Sequence, residues 1–399
     1  MNTRELYDVS TMAPSSEAQM KNFNLDAILE AMLKVSDRVS DLNFSVGRPP
    51  QVEVDGQLVP VTFPGLPRLT PFQTEMIVMH MLRGDRELTR TLLLNGSVDL
   101  SYSIPQKTRF RVNIFSQRGT YAIVLRVIPE GVPTLAALKM PQELFNVGRL
   151  KNGIVLVTGP TGSGKSTTLA AIINEINQEY AYHIITIEDP VEYMHRHVKS
   201  TVNQRELGSD TKTFSLALRA ALRQAPKVIL IGEMRDVETI EIAMEAAETG
   251  HLVLSTLHTI DAAKTVDRIV GVFPKDQEPQ IRTRLSQSFR YVISQRLLPK
   301  IGGGRVAALE ILKSTMRTRD YIVKGESEGR SLVDAMHDGS VDGMQAFDDE
   351  IEKLWNAGTI SKETALAYAT NPTNLALRMT DEPAGTAQES GDSMLSMLE

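Results

Sequence analysis

The 399-residue sequence contains no cysteine. Disulfides, cysteine-ligated zinc and thiol catalysis are thereby excluded, and the composition suits a reducing cytoplasm. No apolar run approaches the ~18 residues that a membrane-spanning helix needs. Insertion is therefore not expected, and any membrane role would come through a partner. The opening residues, MNTRELYDVSTMAPSSEAQ, hold no apolar core of the kind a secretory leader carries, so no signal peptide is expected. A basic excess is missing as well: 43 Lys and Arg against 49 Asp and Glu leave a net charge of −6, which points away from nucleic acid. One stretch inverts this balance. Between Asp99 and Glu130 there is no acidic residue, while Lys107, Arg109, Arg111, Arg118 and Arg126 are basic. Arg109 and Arg111 alternate with Phe110, Val112 and Ile114, which in a strand places the arginines on one face. That face is either simply solvated or built to meet an anion.

What the sequence does contain is a phosphate loop. Gly159-Pro160-Thr161-Gly162-Ser163-Gly164-Lys165-Ser166 fits G-x-x-x-x-G-K-[ST], between the apolar run 153–158 and a helical pattern beginning near Lys165. The glycines let the backbone wrap phosphate, and backbone N–H groups at a helix N-terminus present positive partial charge to it. In such a loop Lys165 reaches the β- and γ-phosphates and Ser166 holds Mg²⁺.

Around this loop the chain divides by pattern. Residues 1–22 are polar and unpatterned and read as a mobile arm. Residues 23–128 mix helix and strand signals. Leu25, Ile28, Leu29, Met32 and Leu33 recur at helical spacing behind Asn24 as cap. Val52 to Val61 reads as a hairpin closed by Asp55-Gly56. Thr70-Pro71-Phe72-Gln73 is a capping box with proline at the first helical position. Residues 129–150, with Pro129, Gly131, Pro133 and Pro141, read as a connection. From 151 to 300, strands at 153–158, 183–187, 227–231 and 252–256 alternate with helical stretches, which argues for a doubly wound, mostly parallel sheet; 261–300 reads as largely helical. Residues 301–378 hold a late strand, 306–311, and C-terminal helices. Phe347, Ile351, Leu354 and Trp355 share a face, Gly358 stops that helix, and others open at Ser361 and Asn371-Pro372. Residues 379–399 read as a flexible tail or a short docking segment.

Two of the apolar strands end in carboxylates, Ile185-Thr186-Ile187-Glu188 and Val228-Ile229-Leu230-Ile231-Gly232-Glu233. Ligands of open α/β sheets bind at the carboxyl ends of the strands. Glu188 and Glu233 thus belong beside the loop, one to hold Mg²⁺ through water and the other to orient or deprotonate an attacking water. His251 and His258 bracket a third such strand, suggesting a γ-phosphate sensor.

Taken together, GPTGSGKST, ITIEDPVEY, VILIGEMRDVET and ETGHLVLSTLHT resemble the secretion-type motor ATPases, and most closely the type IV pilus retraction ATPases of the PilT/PilU type. The likeness extends over about residues 24–378, including SDLNFSVGRPPQVEVDGQLVPV, RFRVNIF and GMQAFDDEIEKLW. The resemblance implies an α/β fold: a PAS-like N-terminal domain, a RecA-like P-loop core and a helical C-terminal region. It implies a ring-shaped homo-hexamer that hydrolyses ATP with Mg²⁺. Such a ring works in the cytoplasm, peripheral to the inner membrane through a pilus platform protein. It assigns nucleotide binding to residues 159–166 with Thr167 and His251, the catalytic glutamate to Glu188, the Walker B acid and metal contact to Glu233, and a His-box role to His258. Arg111 and Arg126 match arginines that reach a neighbouring subunit's nucleotide, with Arg109 and Arg118 as further matches. Some positions depart from the pattern. Asn43 replaces a usual His, and Lys227 in RQAPK replaces a usual Asp. RQAP, Gln117-Arg118 and GMQAFD lean towards the PilU-like accessory ATPases, which act beside a paralogous motor. An assembly or secretion motor is the other alternative, and the lack of cysteine weighs against it, as those relatives usually carry a four-Cys zinc module. A nucleic-acid translocase is disfavoured by the lack of base-stacking aromatics near the basic strand.

Overall fold

A computed structural model describes residues 7–8, 24–64, 66–105, 107–128, 131–327 and 329–379. Apart from Tyr7–Asp8, the expected arm lies outside the described residues, as does the expected tail beyond Met379. The chain forms two compact units: 1–131 with 190–194 and 208–210, and the remainder from Val132 onward.

The first unit is a one-sided sheet. Its strands are β1 (Tyr7–Asp8), β2 (Val39–Phe44), β3 (Gln51–Val54), β4 (Gln57–Thr62), β5 (Ser97–Ile104), β6 (Thr108–Gln117) and β7 (Thr120–Ile128). They lie in the order β1-β4-β3-β2-β7-β6-β5 and are antiparallel except for the β1–β4 pair. Asp55 and Gly56, both at positive φ (52° and 78°), close the β3–β4 hairpin as a mirror-image turn should. The helices are α1 (Leu25–Leu33), α2 (Pro71–Leu82) and α3 (Arg86–Asn95). Asn24 caps α1, and Thr70 with Gln73 forms the capping box of α2. Leu29, Met32, Ile77 and Met81 pack with Leu42, Phe110, Val112 and Leu125 in one core.

The second unit holds β8 (Gly153–Thr158), β9 (His183–Glu188), β10 (Thr201–Glu206), β11 (Val228–Ile231), β12 (Leu252–Leu257), β13 (Phe289–Pro299) and β14 (Arg305–Lys313). Their order is β10-β9-β11-β12-β8-β13-β14, parallel except for β14. The helices are α4 (Gln142–Phe145), α5 (Lys165–Glu179), α6 (Phe214–Ala221), α7 (Val237–Glu248), α8 (Ala262–Val270), α9 (Glu278–Ser288), α10 (Met316–Lys324), α11 (Leu332–Asp338), α12 (Phe347–Asn356), α13 (Lys362–Tyr368) and α14 (Pro372–Arg378). Successive residues of one strand enter two different cores. Ile154 and Leu156 join Ile240, Val266 and Leu285 on one face, while Val155 and Val157 join Leu169, Ile173 and Ile176 on the other. Burial on both faces is why these strands read as unbroken apolar runs.

Several elements differ from the sequence expectation. Phe289–Pro299 is a strand inside the sheet rather than the end of a helical stretch; Tyr291 and Ile293 face one core and Phe289 and Val292 the other, so no period marks it. The polar edge strand β10 and the helix α3 carried no expectation. Within 129–150, Leu135, Leu144 and Val147 are buried in the core beside α5, so from Val132 this segment packs as part of the second unit. Among the described residues no helix is long and apolar enough to cross a membrane.

Candidate nucleotide site

The ends of four parallel strands meet at one edge of the second sheet. Register aligns Leu257 with Thr158, Ile231 with Ser255, and Ile231 with Ile187. Gly159 and His258 therefore leave the sheet at one level, and Gly232 leaves β11 two residues earlier, with Glu188 ending β9 beside it. Donation from Gly232 N–H to the Ile187 carbonyl (2.7 Å) and from Thr256 Oγ1 to the Gly232 carbonyl (2.6 Å) fixes these ends.

The loop is held from behind by Gln295 of β13. Its Nε2 donates to the Ser163 carbonyl and its Oε1 accepts from Thr168 Oγ1, both at 2.7 Å and both buried. A Cβ at Gly159 (φ 145°) would collide with the Gln295 carbonyl, and one at Gly164 (φ 90°) would come within 2.8 Å of Nε2. Glycine is required at both by close approach as well as by φ. Lys165 is only 8% exposed, and its ammonium donates to the Gly159 and Pro160 carbonyls at 2.9 and 3.1 Å. Ser163 Oγ is buried with no hydrogen-bond partner among the described residues. A cradle that keeps a buried cation against its own carbonyls and leaves a hydroxyl unsatisfied fits a phosphate chain. Ser166 and Thr167 follow Lys165 in the first turn of α5.

Thr186 Oγ1 and Gln204 Nε2 both donate to Glu188 Oε1, at 2.6 and 3.1 Å. Gln204 Oε1 accepts from the His195 backbone N–H at 2.8 Å, which fixes the amide's orientation. Arg235 Nη2 lies 2.5 Å from Glu233 Oε2 and His258 Nε2 lies 3.5 Å from its Oε1. Glu233 in turn raises the Arg235 pKa, through its hydrogen bond first. One hydroxyl, Ser166, and one carboxylate, Glu233, suit Mg²⁺, which takes few protein ligands and keeps phosphate and water as the rest.

The structure does not bring His251 to this edge. It lies at the opposite end of the six-residue strand β12, about 20 Å from the loop edge at 3.3 Å per residue. Its Nδ1 sits 3.0 Å from the Ala246 carbonyl near the end of α7. An extended strand separates what it brackets, so of these two histidines His258 lies at the loop edge. Lys227 is at that far end too, its Nζ 3.4 Å from the Gly250 carbonyl, so its departure from the family pattern does not touch the loop.

The arginines lie in the first unit. Arg111 of β6 stands directly across from Arg126 of β7, which stands across from Asp41 of β2. Arg126 Nε bonds Asp41 Oδ1 at 3.0 Å. Arg111 is exposed, and Arg118 sits with Gly119 in the β6–β7 turn, at φ 48°. Sequence reasoning gave no role to Gln295, Thr186, Gln204 or Arg235; of these, Thr186 and Arg235 lie within the quoted motifs.

The family model "Type II/IV secretion system protein" matches residues 76–337. The type IV pilus retraction ATPase PilT of Pseudomonas aeruginosa is 45% identical over 335 residues, covering 84% of this chain and 95% of that protein. The type IV pilus ATPase PilU of the same organism is 40% identical over 346 residues, covering 86% and 89%. A crystal structure of the pilus retraction motor PilT with bound ADP superposes with a TM-score of 0.78 at 43% identity, covering 89% of this chain and all of that one. The chain belongs to the type IV pilus retraction ATPases. It is a P-loop ATPase of that family with a RecA-like fold.

Proposed function

We propose that the chain assembles as a homo-hexameric ring that couples ATP hydrolysis to pilus retraction, withdrawing pilin and so supporting twitching motility. The observation that carries the site assignment is the convergence of Lys165, Glu188, Glu233 and His258 on one sheet edge. ATP enters with its phosphates in the loop of residues 159–167, and Lys165 leaves its resting carbonyls for the β- and γ-phosphates. Ser166 and Glu233 would hold Mg²⁺, which would neutralise phosphate charge there. Glu188, oriented by Thr186 and Gln204, accepts a proton as water oxygen bonds the γ-phosphorus and the bridge to ADP breaks. Arg111 and Arg126 serve the nucleotide of the neighbouring subunit. The ring acts at the cytoplasmic face of the inner membrane, on the pilus platform protein.

A second reading has its own support. The 40% identity to PilU spans 86% of this chain, which fits an accessory ATPase docked on a paralogous motor. Deleting the gene alone and beside a paralogue separates the two: lost retraction in the single deletion marks a primary motor, and normal retraction marks an accessory one. For the site, Glu188→Gln should cut turnover about 10³-fold while ATP still binds. Turnover persisting in the purified variant would remove Glu188 as the base.

A further inference from the structure

Glu310 of β14 belongs to none of the motifs, yet it is one of the most deeply buried acids of the second unit, 3% exposed. Register places Thr158, Ser294 and Glu310 side by side across three adjacent strands. Their side chains form a directed chain. Thr158 Oγ1 donates to Ser294 Oγ at 3.1 Å, and Ser294 Oγ donates to Glu310 Oε1 at 3.2 Å. The same oxygen accepts the Ala262 backbone N–H at 2.7 Å. Thr158 is the last residue before the phosphate loop. Ala262 is the first residue of α8, four positions after His258, with Asp261 as its cap. The carboxylate thus joins the start of the loop to the corner that presents His258. A buried acid is costly unless donors satisfy it, and apolar side chains would fill the same space at less cost.

We infer that Glu310 is a positioning residue for ATP hydrolysis, tying the His258 corner to the strand end from which the phosphate loop departs. Gln295 anchors the loop from the opposite face of β13, so the Glu310 tie governs alignment across the site rather than nucleotide affinity. The inference rests on the ATPase reading and places His258 at the γ-phosphate side. Burial above all pushes the Glu310 carboxyl up to about 7; the Ala262 N–H opposes this, Asp261 adds to it, and Ser294 and Arg296 oppose it. Asp261 and Arg296 are the charged groups that act on it, so a pH readout is available.

The test compares full-length wild type, Glu310→Ala, Glu310→Gln and Ser294→Ala, measuring ATP turnover per folded protein, binding of a fluorescent ADP analogue and thermal unfolding. Glu310→Ala should lose about 10²-fold in kcat, the scale set by ångström misalignment, with analogue affinity unchanged. Glu310→Gln retains an accepting oxygen and should recover most of the rate, and its kcat should lack the change near pH 7 expected of wild type. Ser294→Ala, which breaks only one arm, should show a smaller loss in kcat, again without loss of affinity. Unchanged kcat in Glu310→Ala, or a loss confined to nucleotide affinity, overturns the inference. Should Glu310→Ala fail to fold, a wild-type kcat in Ser294→Ala overturns it instead. His258→Ala run alongside keeps the readings apart: normal turnover there removes His258 from the site, whereas a kcat loss in Glu310→Ala still upholds the tie.

Discussion

The two cationic features of this chain are built in opposite ways. Lys165 is buried, rests on two carbonyls of its own loop, and has a glutamine strut behind it. Arg111 and Arg126 stand opposite one another on an exposed sheet face, with the Arg126 side chain 71% exposed and Asp41 its ion-pair partner. Two like charges directly across a ladder repel each other. The loop is thus held within one chain, whereas the role proposed for the arginine face needs an anion from a neighbouring subunit.

The sharpest way to break this contrast is Arg111→Ala. Loss of an arginine that completes a neighbour's site should lower turnover by about 10³-fold, and mixed rings should be impaired even where the adjoining subunit is wild type. Normal activity in mixed rings would return Arg111 to an ordinary solvated face. Next comes Gln295→Ala, which strands the Ser163 carbonyl and Thr168 Oγ1 without partners. Unfolding free energy should fall by about 2–4 kcal/mol, read by denaturant melts; an unchanged midpoint would mean that the loop holds its shape unaided. Glu310 supplies a pH arm. Its free-chain value is 4.5 and its folded value about 7, so the folded state binds the proton more tightly. Its contribution is fully present below the unfolded value and is lost as pH rises through the folded one. The difference is on the order of 3 kcal/mol. The melting temperature of Glu310→Gln relative to wild type should therefore climb between pH 5 and pH 8; a constant gap would refute the raised titration. The smallest effect is Asp41→Asn. Arg126 is mostly solvated, so stability should shift by less than about 1 kcal/mol, measured by thermal unfolding.

Legibility in the sequence followed how local each signal was. The strands β8, β9, β11 and β12 stood out because both of their faces are buried. The caps at Asn24, Thr70, Ser361 and Asn371 were readable because each lies within three residues of the N–H it accepts. β13 escaped because its apolar run, Tyr291–Ile293, is too short and too doubly buried to show a period that separates strand from helix, and Ser294, Gln295 and Arg296 interrupt it. α3 escaped despite Asp85 and Gly96 at its ends, since exposed Leu93 and Leu94 blur its apolar stripe. Within the site, Glu188, Glu233 and Lys165 were legible from motifs. Gln295 was not, because its partner Ser163 lies 132 residues away. His251 shows the converse: proximity in sequence across an extended strand became distance in space.

β13 and its turn have a further consequence, for insertion and deletion. Ser294 and Gln295 point to opposite faces of one strand, and Arg296 donates to the Tyr368 carbonyl and lies over the Phe347 ring. Removing one residue upstream within this strand would exchange the two faces at once, unseating the loop, the buried acid and the C-terminal helices together. The β13–β14 turn, by contrast, carries Gly302, Gly303 and Gly304, all at positive φ and exposed. Extra residues spliced there lengthen a surface loop at small entropic cost. A label or tether introduced at Gly303 should leave the ATPase running, while a single-codon deletion a few positions earlier should silence it.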